Sequence, residues 1–369
     1  MSKRTAKKRT LVLGTGPLAQ ELLGEIARHP RCEYDIVGVV VEPGISQADN
    51  PAQTIVGTVE ELDRILLEYK PQVIIVALSQ GSMELYEQHL LEASFIRSTR
   101  IEQAATVYEE LSGKLPLASY ELDDVVYSDT FRPKRSSQIA TRLLSLAAAI
   151  LGLILTAPLM LIIAVLIKLD SPGPVLFMQE RAGYRGKQFK LAKFRTMRPA
   201  EGPCSEWEGD NADRITRVGR WLRKFRLDEL PQFFNVLAGH MNLVGPRPHP
   251  VSNIAMLALV ARNTPESGVS IPYYDLRSSV RPGITGWAQV RYQYANNLQE
   301  EIEKLHFDLY YIKHYSLRLD LKIILETIWV VGGGHVVKAE KAQEDTDTGR
   351  AASPVASDRQ SPVSTAVSE

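Results

Sequence analysis

Two adjacent carboxylates, Asp228 and Glu229, follow a basic, amphipathic run and precede a Leu-Pro-Gln sequence. Proline is tolerated in the first turn of a helix, so this pattern predicts that both acids lie at a helix N-terminus. Peptide dipoles favour an ionised acid there, and Arg223 and Arg226 should lower its pKa further. An aspartate kept ionised in this way can act as a nucleophile or hold a metal ion. The alternative is ordinary helix capping.

The composition is that of a globular protein associated with anionic partners other than nucleic acid. The 369 residues are enough for two or more domains, with 44% hydrophobic and 23% charged residues. The net charge is zero, but Arg and Lys are concentrated between residues 181 and 226, beside an apolar segment. Such a stretch suits lipid headgroups or phosphorylated substrates, and a solvated mixed surface is the alternative. Cys32 and Cys204 show neither metal-ligand spacing nor a disulfide framework, which indicates a reducing compartment.

The N-terminal part of the sequence is typical of an α/β domain. Its basic start runs into a short strand, not into the apolar core of a signal peptide, so we expect the N-terminus to remain in the cytoplasm. Predicted strands and helices alternate at residues 10–14, 18–28, 36–41, 59–68 and 73–77. This alternation predicts a Rossmann-like parallel sheet over residues 1–128. Gly14 and Gly16 follow the first strand and Glu42 the second, where such folds bind a pyrophosphate and a ribose. A glycine turn needed only for packing is the alternative to this nucleotide site.

Residues 143–169 form an apolar run of bilayer length. If this run spans a membrane, the domains before and after it lie on opposite faces, although both are expected in the cytoplasm. A reentrant helix over residues 138–169, broken at Pro158, removes that conflict because it returns to the side from which it entered. We expect the Ser145 or Thr156 hydroxyl to bond the carbonyls that the break frees. A spanning helix with a tolerated proline kink is the alternative.

The part of the chain after this run combines amphipathic helices with rigid turns. Helices are predicted at residues 215–226, 298–313 and 317–331, and a turn followed by a strand is predicted at residues 280–289. The Gly-Pro-Arg-Pro turn at residues 245–248 presents Arg247, whose planar fork of donors suits phosphate. The composition after Val337 predicts a disordered tail over residues 337–369.

The order of the motifs makes residues 135–334 resemble the bacterial sugar transferase family, the monotopic polyprenyl-phosphate sugar-1-phosphate transferases. The matching motifs are Lys-Phe-Arg-Thr-Met at 193–197, Leu-Asp-Glu-Leu-Pro-Gln at 227–232, Gly-Pro-Arg-Pro at 245–248 and Arg-Pro-Gly-Ile-Thr-Gly-Trp at 281–287. The N-terminal domain looks like the nucleotide-binding-type domain that larger members carry. One departure is His240, which stands where members usually carry an acid and which can alter how Arg247 is held.

The resemblance implies a two-step transfer. Asp228 would attack the sugar-bearing phosphate of a UDP-sugar and expel UMP, and polyprenyl phosphate would then displace the phosphosugar from the aspartate. Glu229 would help to bind Mg²⁺ or assist the acceptor. The implied phosphate-binding residues are Arg223, Arg247, Lys193 and Arg281, and the implied metal ligands are Asp228, Glu229 and Asp308. Glucose, galactose and N-acetylated hexosamines all remain open as the sugar.

We therefore expect an α/β sheet domain, a linker over residues 129–137, the reentrant helix and a mainly helical catalytic domain over residues 170–336. The expected location is the cytoplasmic face of the inner membrane, and a homodimer is left open. One alternative is a membrane-docked, nucleotide-sensing regulatory module without turnover. Another is an NAD-dependent sugar-nucleotide enzyme, which lacks an evident Tyr/Lys base set near the glycine turn.

Overall fold

A computed structural model describes residues 7–42, 54–78, 80–95, 98–117, 120, 129–198, 213–251, 273–292 and 298–331. Within these ranges the strands are β1 (Lys8–Leu13), β2 (Tyr34–Val41), β3 (Ile55–Thr58), β4 (Val73–Val76), β5 (Arg100–Gln103), β6 (Leu176–Ala182), β7 (Gln188–Phe194), β8 (Asn242–Val244) and β9 (Gly283–Thr285). The helices are α1 (Pro17–Arg28), α2 (Leu62–Tyr69), α3 (Gln80–Phe95), α4 (Ala104–Ser112), α5 (Arg135–Asp170), α6 (Arg217–Lys224), α7 (Gln232–Leu237), α8 (Trp287–Arg291), α9 (Leu298–Lys313) and α10 (Leu317–Val331). The predicted tail and Cys204 lie outside the described residues.

Strands β1 to β5 form a parallel sheet in the order β3-β2-β1-β4-β5. Successive residues of β1 alternate between two cores: Leu11 packs with α2 and α3 on one face, and Val12 packs with α1 and α4 on the other. Burial on both faces explains why these strands are continuous apolar runs. The predicted α/β sheet with helices is confirmed.

The glycine turn after β1 has a packing role. Gly14 has a φ of +106°, and a Cβ there would lie 2.7 Å from the carbonyl oxygen of Ala77 at the end of β4. Close approach of two strand ends therefore requires glycine at this position. Gly16 differs, since no atom lies within 4 Å of its hypothetical Cβ. Glu42 follows β2 and is half-buried. Nucleotide binding by these three residues stays a prediction.

The sheet domain contacts the C-terminal half of the chain through α4. Glu109, at 2% exposure, accepts hydrogen bonds from Lys313 Nζ at 2.8 Å and Tyr120 Oη at 2.6 Å, and its Oε2 lies 2.9 Å from His314 Nε2. Burial alone would raise the pKa of Glu109, but these partners lower it overall. The indole N–H of Trp287 donates to the Gly113 carbonyl at 2.8 Å. Segments before and after the long helix α5 are therefore in direct contact.

Helix α5 contains 36 residues and runs without interruption through Pro158. The predicted break at residues 156–158 is therefore wrong. Thr156 Oγ1 donates to the Gly152 carbonyl at 2.7 Å, and Ser145 Oγ accepts from the Leu243 N–H at 3.0 Å, so the expected hydroxyls serve other partners. Helices tolerate proline where the local backbone adjusts and neighbouring groups compensate.

One face of α5 packs on the rest of the protein from its N-terminal half to its C-terminal end. The buried residues of the helix are Thr141, Ser145, Ala149, Ile163 and Ile167. Ala149 packs with Val236 and Met241, whereas Ile163 and Ile167 pack with other side chains of the C-terminal half. Most of the remaining helix surface is exposed and apolar, and α5 is long and apolar enough to cross a membrane. This surface indicates association with a membrane.

A buried carboxyl group joins α10 to α9. Asp320 has no exposed surface, and Tyr311 Oη donates to its Oδ1 at 2.8 Å. Burial raises the pKa of Asp320 to about 6, although the hydrogen bond from Tyr311 opposes this change. The folded protein therefore binds a proton more tightly at this position than the unfolded chain does. Stability from this group is present at low pH and is lost as pH rises from about 4 to about 6.

We expect Asp320→Asn to stabilise the detergent-solubilised protein at pH 8, because it removes a buried charge and retains an acceptor for Tyr311. A pKa difference of about two units corresponds to about 3 kcal/mol of unfolding free energy. Thermal unfolding at pH 8 and at pH 5 measures the effect, with the exposed Asp275→Asn as control. The gain should fall to about half at pH 5, which lies midway between the two pKa values, and an equal gain at both pH values would contradict the explanation.

Candidate active site

The motif at residues 193–197 connects the long helix to the candidate site. Phe194 packs in the core with Ile163 and Ile167 of α5. The buried Arg195 donates to the carbonyls of Pro172 at 2.8 Å and Ser171 at 2.7 Å, just beyond the end of α5. These bonds satisfy acceptors that the helix end leaves unpaired. The adjacent Lys193 is thereby fixed at the end of β7.

Helix α6 is held against the same motif. Thr216 caps the helix, since its hydroxyl accepts from the Gly219 N–H at 2.9 Å. A Cβ on Gly219 would lie 2.1 Å from the Thr196 carbonyl oxygen, so only glycine allows this approach. The contact positions Arg223, in the last turn of α6, near Asp228.

Asp228 and Glu229 lie in a 3₁₀ turn, Leu227–Glu229, between α6 and α7. The turn begins after Arg226, whose φ of +56° places it in the left-handed region at some conformational cost. Neither acid caps a helix by a side-chain hydrogen bond, so the capping alternative is not supported. The predicted position just before a helix is confirmed, because α7 begins at Gln232.

Helix α7 is anchored through its C-terminal half. The amide of Asn235 accepts from the Ala192 N–H at 3.0 Å and donates to the Lys190 carbonyl at 2.8 Å, which fixes the helix to β7. Arg142 of α5 donates to the Val236 carbonyl at 2.8 Å, near the C-terminal end of α7. The turn that carries the two acids is therefore anchored through α7 to both β7 and α5.

Arg247 follows a strand whose backbone lies very close to a second strand. Strands β8 and β9 pair in parallel, and a Cβ on Gly283 would lie 2.1 Å from the backbone nitrogen of Gly245. The glycines of the two turn motifs thus allow the two backbones to approach this closely. Arg277 then donates to the Arg247 carbonyl at 3.1 Å. Together these contacts fix the turn of residues 245–248.

The structure brings two of the predicted phosphate-binding residues, Lys193 and Arg247, together at Glu229. Lys193 Nζ donates to Glu229 Oε1 at 3.1 Å, and Arg247 donates to the same oxygen at 2.9 Å. Burial raises the pKa of Glu229, but Arg247 and Lys193 outweigh it and hold that pKa well below its usual range. Burial also lowers the pKa of Lys193, although Glu229 opposes this change. Glu229 is therefore the acid that its neighbours keep ionised.

Asp228 behaves differently, and the expectation that its pKa is lowered is wrong. Burial raises the pKa of Asp228, and the negative charge of Glu229 adds to this effect. Lys193, Arg223 and Arg247 oppose it without reversing it. The sequence argument counted the nearby cations but not the loss of water, which disfavours a charged carboxyl group.

Two predicted site residues, Asp308 and Arg281, are engaged elsewhere, as is His240. Asp308, at 2% exposure, pairs with Arg277 at 2.8 Å and does not join Asp228 and Glu229. Arg281 donates to the Gly239 carbonyl at 3.2 Å and lies over the Tyr184 ring. His240 stacks on Phe189, with ring centroids 5.6 Å apart.

The two adjacent acids suit a metal ion that is shared with a substrate. Magnesium typically takes one or two carboxylates together with phosphate oxygens and water. The ion pairs that Lys193 and Arg247 make with Glu229 are both at Oε1. Across the described ranges, no three His, Cys, Asp or Glu side chains are grouped to hold a metal. Asp228 and Glu229 thus fit Mg²⁺ bound with a diphosphate, and the predicted role of Asp308 as a third ligand is not supported.

A buried polar cluster beneath Arg247 was not predicted. Tyr274 Oη lies 2.6 Å from His249 Nδ1, and Arg277 contacts both residues. Burial and Arg277 hold the pKa of His249 well below its usual value, so its ring is neutral. The cluster lines a cavity together with Arg247 and Pro248. The one sign of this cluster in the sequence is His249, which directly follows the Gly-Pro-Arg-Pro turn.

Exposed aromatic side chains lie on both helices that flank the two acids. Trp221 is 61% and Phe234 is 53% exposed, on α6 and α7 respectively. Trp221 stacks on Phe225, and Lys224 lies over both rings. Aromatic and basic groups on one surface are typical of a membrane interface. The candidate site therefore opens near a surface suited to lipid.

Comparison with known sequences agrees with this geometry. The profile of the bacterial sugar transferase family matches residues 136–334, which include α5 and all residues of the candidate site. This is more than half of the chain, and the chain belongs to this family.

Several curated proteins are similar to the same region. A UDP-N-acetylgalactosamine-undecaprenyl-phosphate N-acetylgalactosaminephosphotransferase of Aeromonas hydrophila is 45% identical over 186 residues, 50% of this chain and 42% of that protein. A UDP-glucose:undecaprenyl-phosphate glucose-1-phosphate transferase of Caulobacter vibrioides is 42% identical over 53% of this chain and 71% of that protein. An undecaprenyl-phosphate glucose phosphotransferase of Komagataeibacter xylinus is 29% identical over 89% of this chain and 59% of its own. The match thus spans about half the length of several relatives.

We expect Lys193→Met to raise the pKa of Asp228 further. Lys193 is the largest influence that lowers this pKa, so its loss should delay ionisation of the carboxyl group. The measurement is an infrared pH titration of the carboxyl groups, with the Asp228 signal assigned by its absence in Asp228→Asn. The exposed Lys187→Met serves as control. A pKa that stays in place or falls would contradict the assignment.

Proposed function

We propose that the chain transfers a sugar 1-phosphate from a UDP-sugar to polyprenyl phosphate, with Asp228 as the nucleophile. The observation that carries this proposal is that Asp228 is buried directly beside Glu229, which Lys193 and Arg247 hold ionised. Three cations, Lys193, Arg223 and Arg247, surround this position and suit a diphosphate. The names of the Aeromonas and Caulobacter relatives support the same substrates.

In the first step an oxygen of Asp228 forms a bond to the sugar-bearing phosphorus. The bond from that phosphorus to the bridging oxygen breaks, and UMP leaves with the electron pair. Lys193, Arg223 and Arg247 neutralise the negative charge that would otherwise repel the carboxylate. When bound by Asp228 and Glu229, Mg²⁺ would supply further charge neutralisation at the diphosphate.

In the second step an oxygen of polyprenyl phosphate attacks the same phosphorus and Asp228 leaves as a carboxylate. Dividing the transfer into two steps means that the two anionic substrates need not be bound at once. Burial raises the pKa of Asp228, and the same loss of water leaves its carboxylate poorly solvated, which favours attack on phosphorus. The reaction initiates glycan synthesis at the membrane, with the exopolysaccharide production protein of Rhizobium leguminosarum among the relatives.

The monotopic arrangement is part of the proposal. Helix α4, before the long helix, contacts α9, after it, through Glu109 and Lys313. A spanning α5 would require these partners to lie on opposite faces of the bilayer. From Thr141 to Ile167 the helix covers roughly 40 Å, at 1.5 Å per residue, and both ends pack on the same body. This supports a segment whose two ends both stay on the cytoplasmic side of the membrane.

We expect Asp228→Asn to abolish UMP release, with a loss of at least about a thousandfold, because an amide is a poor nucleophile. The assay uses detergent-solubilised protein, undecaprenyl phosphate and a panel of UDP-glucose, UDP-galactose and UDP-N-acetylhexosamines. A donor labelled in its sugar should leave label on the native protein and none on the variant. The exposed Asp275→Asn is the matched control. Turnover by Asp228→Asn near the native rate would refute the mechanism, and nucleotide binding without turnover by the native chain would favour the regulatory alternative.

Cysteine labelling tests the arrangement in the membrane. In a Cys32→Ser, Cys204→Ser background, Arg28→Cys and Lys187→Cys place exposed thiols before and after α5. Both should react with an impermeant maleimide only after the inner membrane is opened. Labelling of one thiol and not the other in intact spheroplasts would show that α5 spans the bilayer.

A further inference from the structure

Gln232, the first residue of α7, has a buried side-chain amide whose N–H group lacks an acceptor among the described residues. Its side chain is 2% exposed, and Nε2 has no hydrogen-bond acceptor among the residues that the structure describes. The side chain lines a small cavity with Arg181, Leu191, Arg247 and Pro248. A buried donor without an acceptor costs about 1–3 kcal/mol, so such groups call for an explanation beyond stability.

The amide lies on the same side of the chain as Glu229, the residue next to the candidate nucleophile. The segment is a 3₁₀-type helix, since the N–H groups of Leu230 and Phe233 each donate to the carbonyl three residues earlier. In such a helix, side chains three residues apart lie one above the other. Glu229 and Gln232 have this spacing. Arg247, which lines the cavity, also reaches Glu229 at 2.9 Å, so the cavity adjoins the two acids.

The lining of the cavity selects an acceptor-rich ligand. Its polar side chains are two guanidinium groups and the Gln232 amide, and the other two side chains, Leu191 and Pro248, are apolar. Arginine has donors only, so a neutral hydroxyl gains little from this setting and an anionic oxygen gains most. Arg181 is itself positioned by a bond to the Pro248 carbonyl at 2.9 Å.

We infer that Gln232 Nε2 donates a hydrogen bond to a non-bridging oxygen of the phosphoryl group that Asp228 attacks, an inference that rests on the proposed transfer. Gln232 and Arg247 then hold that phosphoryl group from one side while Asp228 approaches it. The charge on these oxygens is redistributed during transfer, so a preorganised donor contributes to the rate and not only to affinity. A hydroxyl of the sugar is the competing acceptor.

The test compares Gln232→Met with the native protein in single-turnover UMP release and in thermal unfolding. Methionine keeps the length of the side chain and removes the donor. We expect release to slow by about a hundredfold, the usual cost of one such donor. The loss should be the same for every UDP-sugar that the native protein uses. The melting temperature should stay the same or rise, because no buried donor is left without an acceptor.

Gln289→Met is the matched control, since the side-chain amide of Gln289 already donates a hydrogen bond to the Ile284 carbonyl at 3.0 Å. This variant should lose stability and keep its rate of release. Release of UMP by Gln232→Met at the native rate would overturn the inference. A loss of rate limited to some UDP-sugars would also overturn it, because it indicates a sugar hydroxyl as the acceptor. So would a loss of rate that is accompanied by a lower melting temperature. These results leave the proposed function intact. A native protein that releases no UMP from any donor overturns both.

Discussion

The structure of the site depends on the carboxylate of Glu229, shared between Lys193 and Arg247 in a buried position. Lys193 lies at the end of β7, Glu229 lies in the turn before α7, and Arg247 lies in the turn after β8. Removal of one partner from a buried ion pair leaves an uncompensated charge and typically costs 3–5 kcal/mol. The pairing therefore fixes the relative position of three distant segments, and the position of Asp228 follows from it.

Two neighbouring acids acquire opposite properties from this arrangement. Glu229 takes two hydrogen bonds from cations, and its pKa falls. Asp228 receives the same burial with weaker compensation, and its pKa rises. Environments that separate the pKa values of paired carboxyl groups commonly assign them different chemical roles. Here the division favours Glu229 as the fixed anion and Asp228 as the group that forms and breaks a bond.

Local patterns in the sequence predicted what local forces decide. The bounds of α9 and α10 agree with the predicted 298–313 and 317–331, because an amphipathic period over four turns is a strong signal. The strand predicted through residue 289 ends at Thr285, and Trp287 begins a helix, since Trp287 packs into the C-terminal core. The pairing of Asp308 with Arg277 and the raised pKa of Asp228 depend on residues distant in sequence, which no local pattern reveals.

The long helix and the site are parts of one mechanical unit. Arg195 binds the carbonyls that follow the C-terminal end of α5, and it lies two residues from Lys193. Arg142, near the N-terminal end of α5, binds the carbonyls that follow the acidic turn at Val236 and Met241. A change in the depth of α5 in a bilayer must therefore move both sides of the site together. Two arginines, each bonded to backbone carbonyls, thus keep Asp228 at a constant distance from the apolar surface of α5, where the proposed transfer requires a lipid-borne phosphate to meet it.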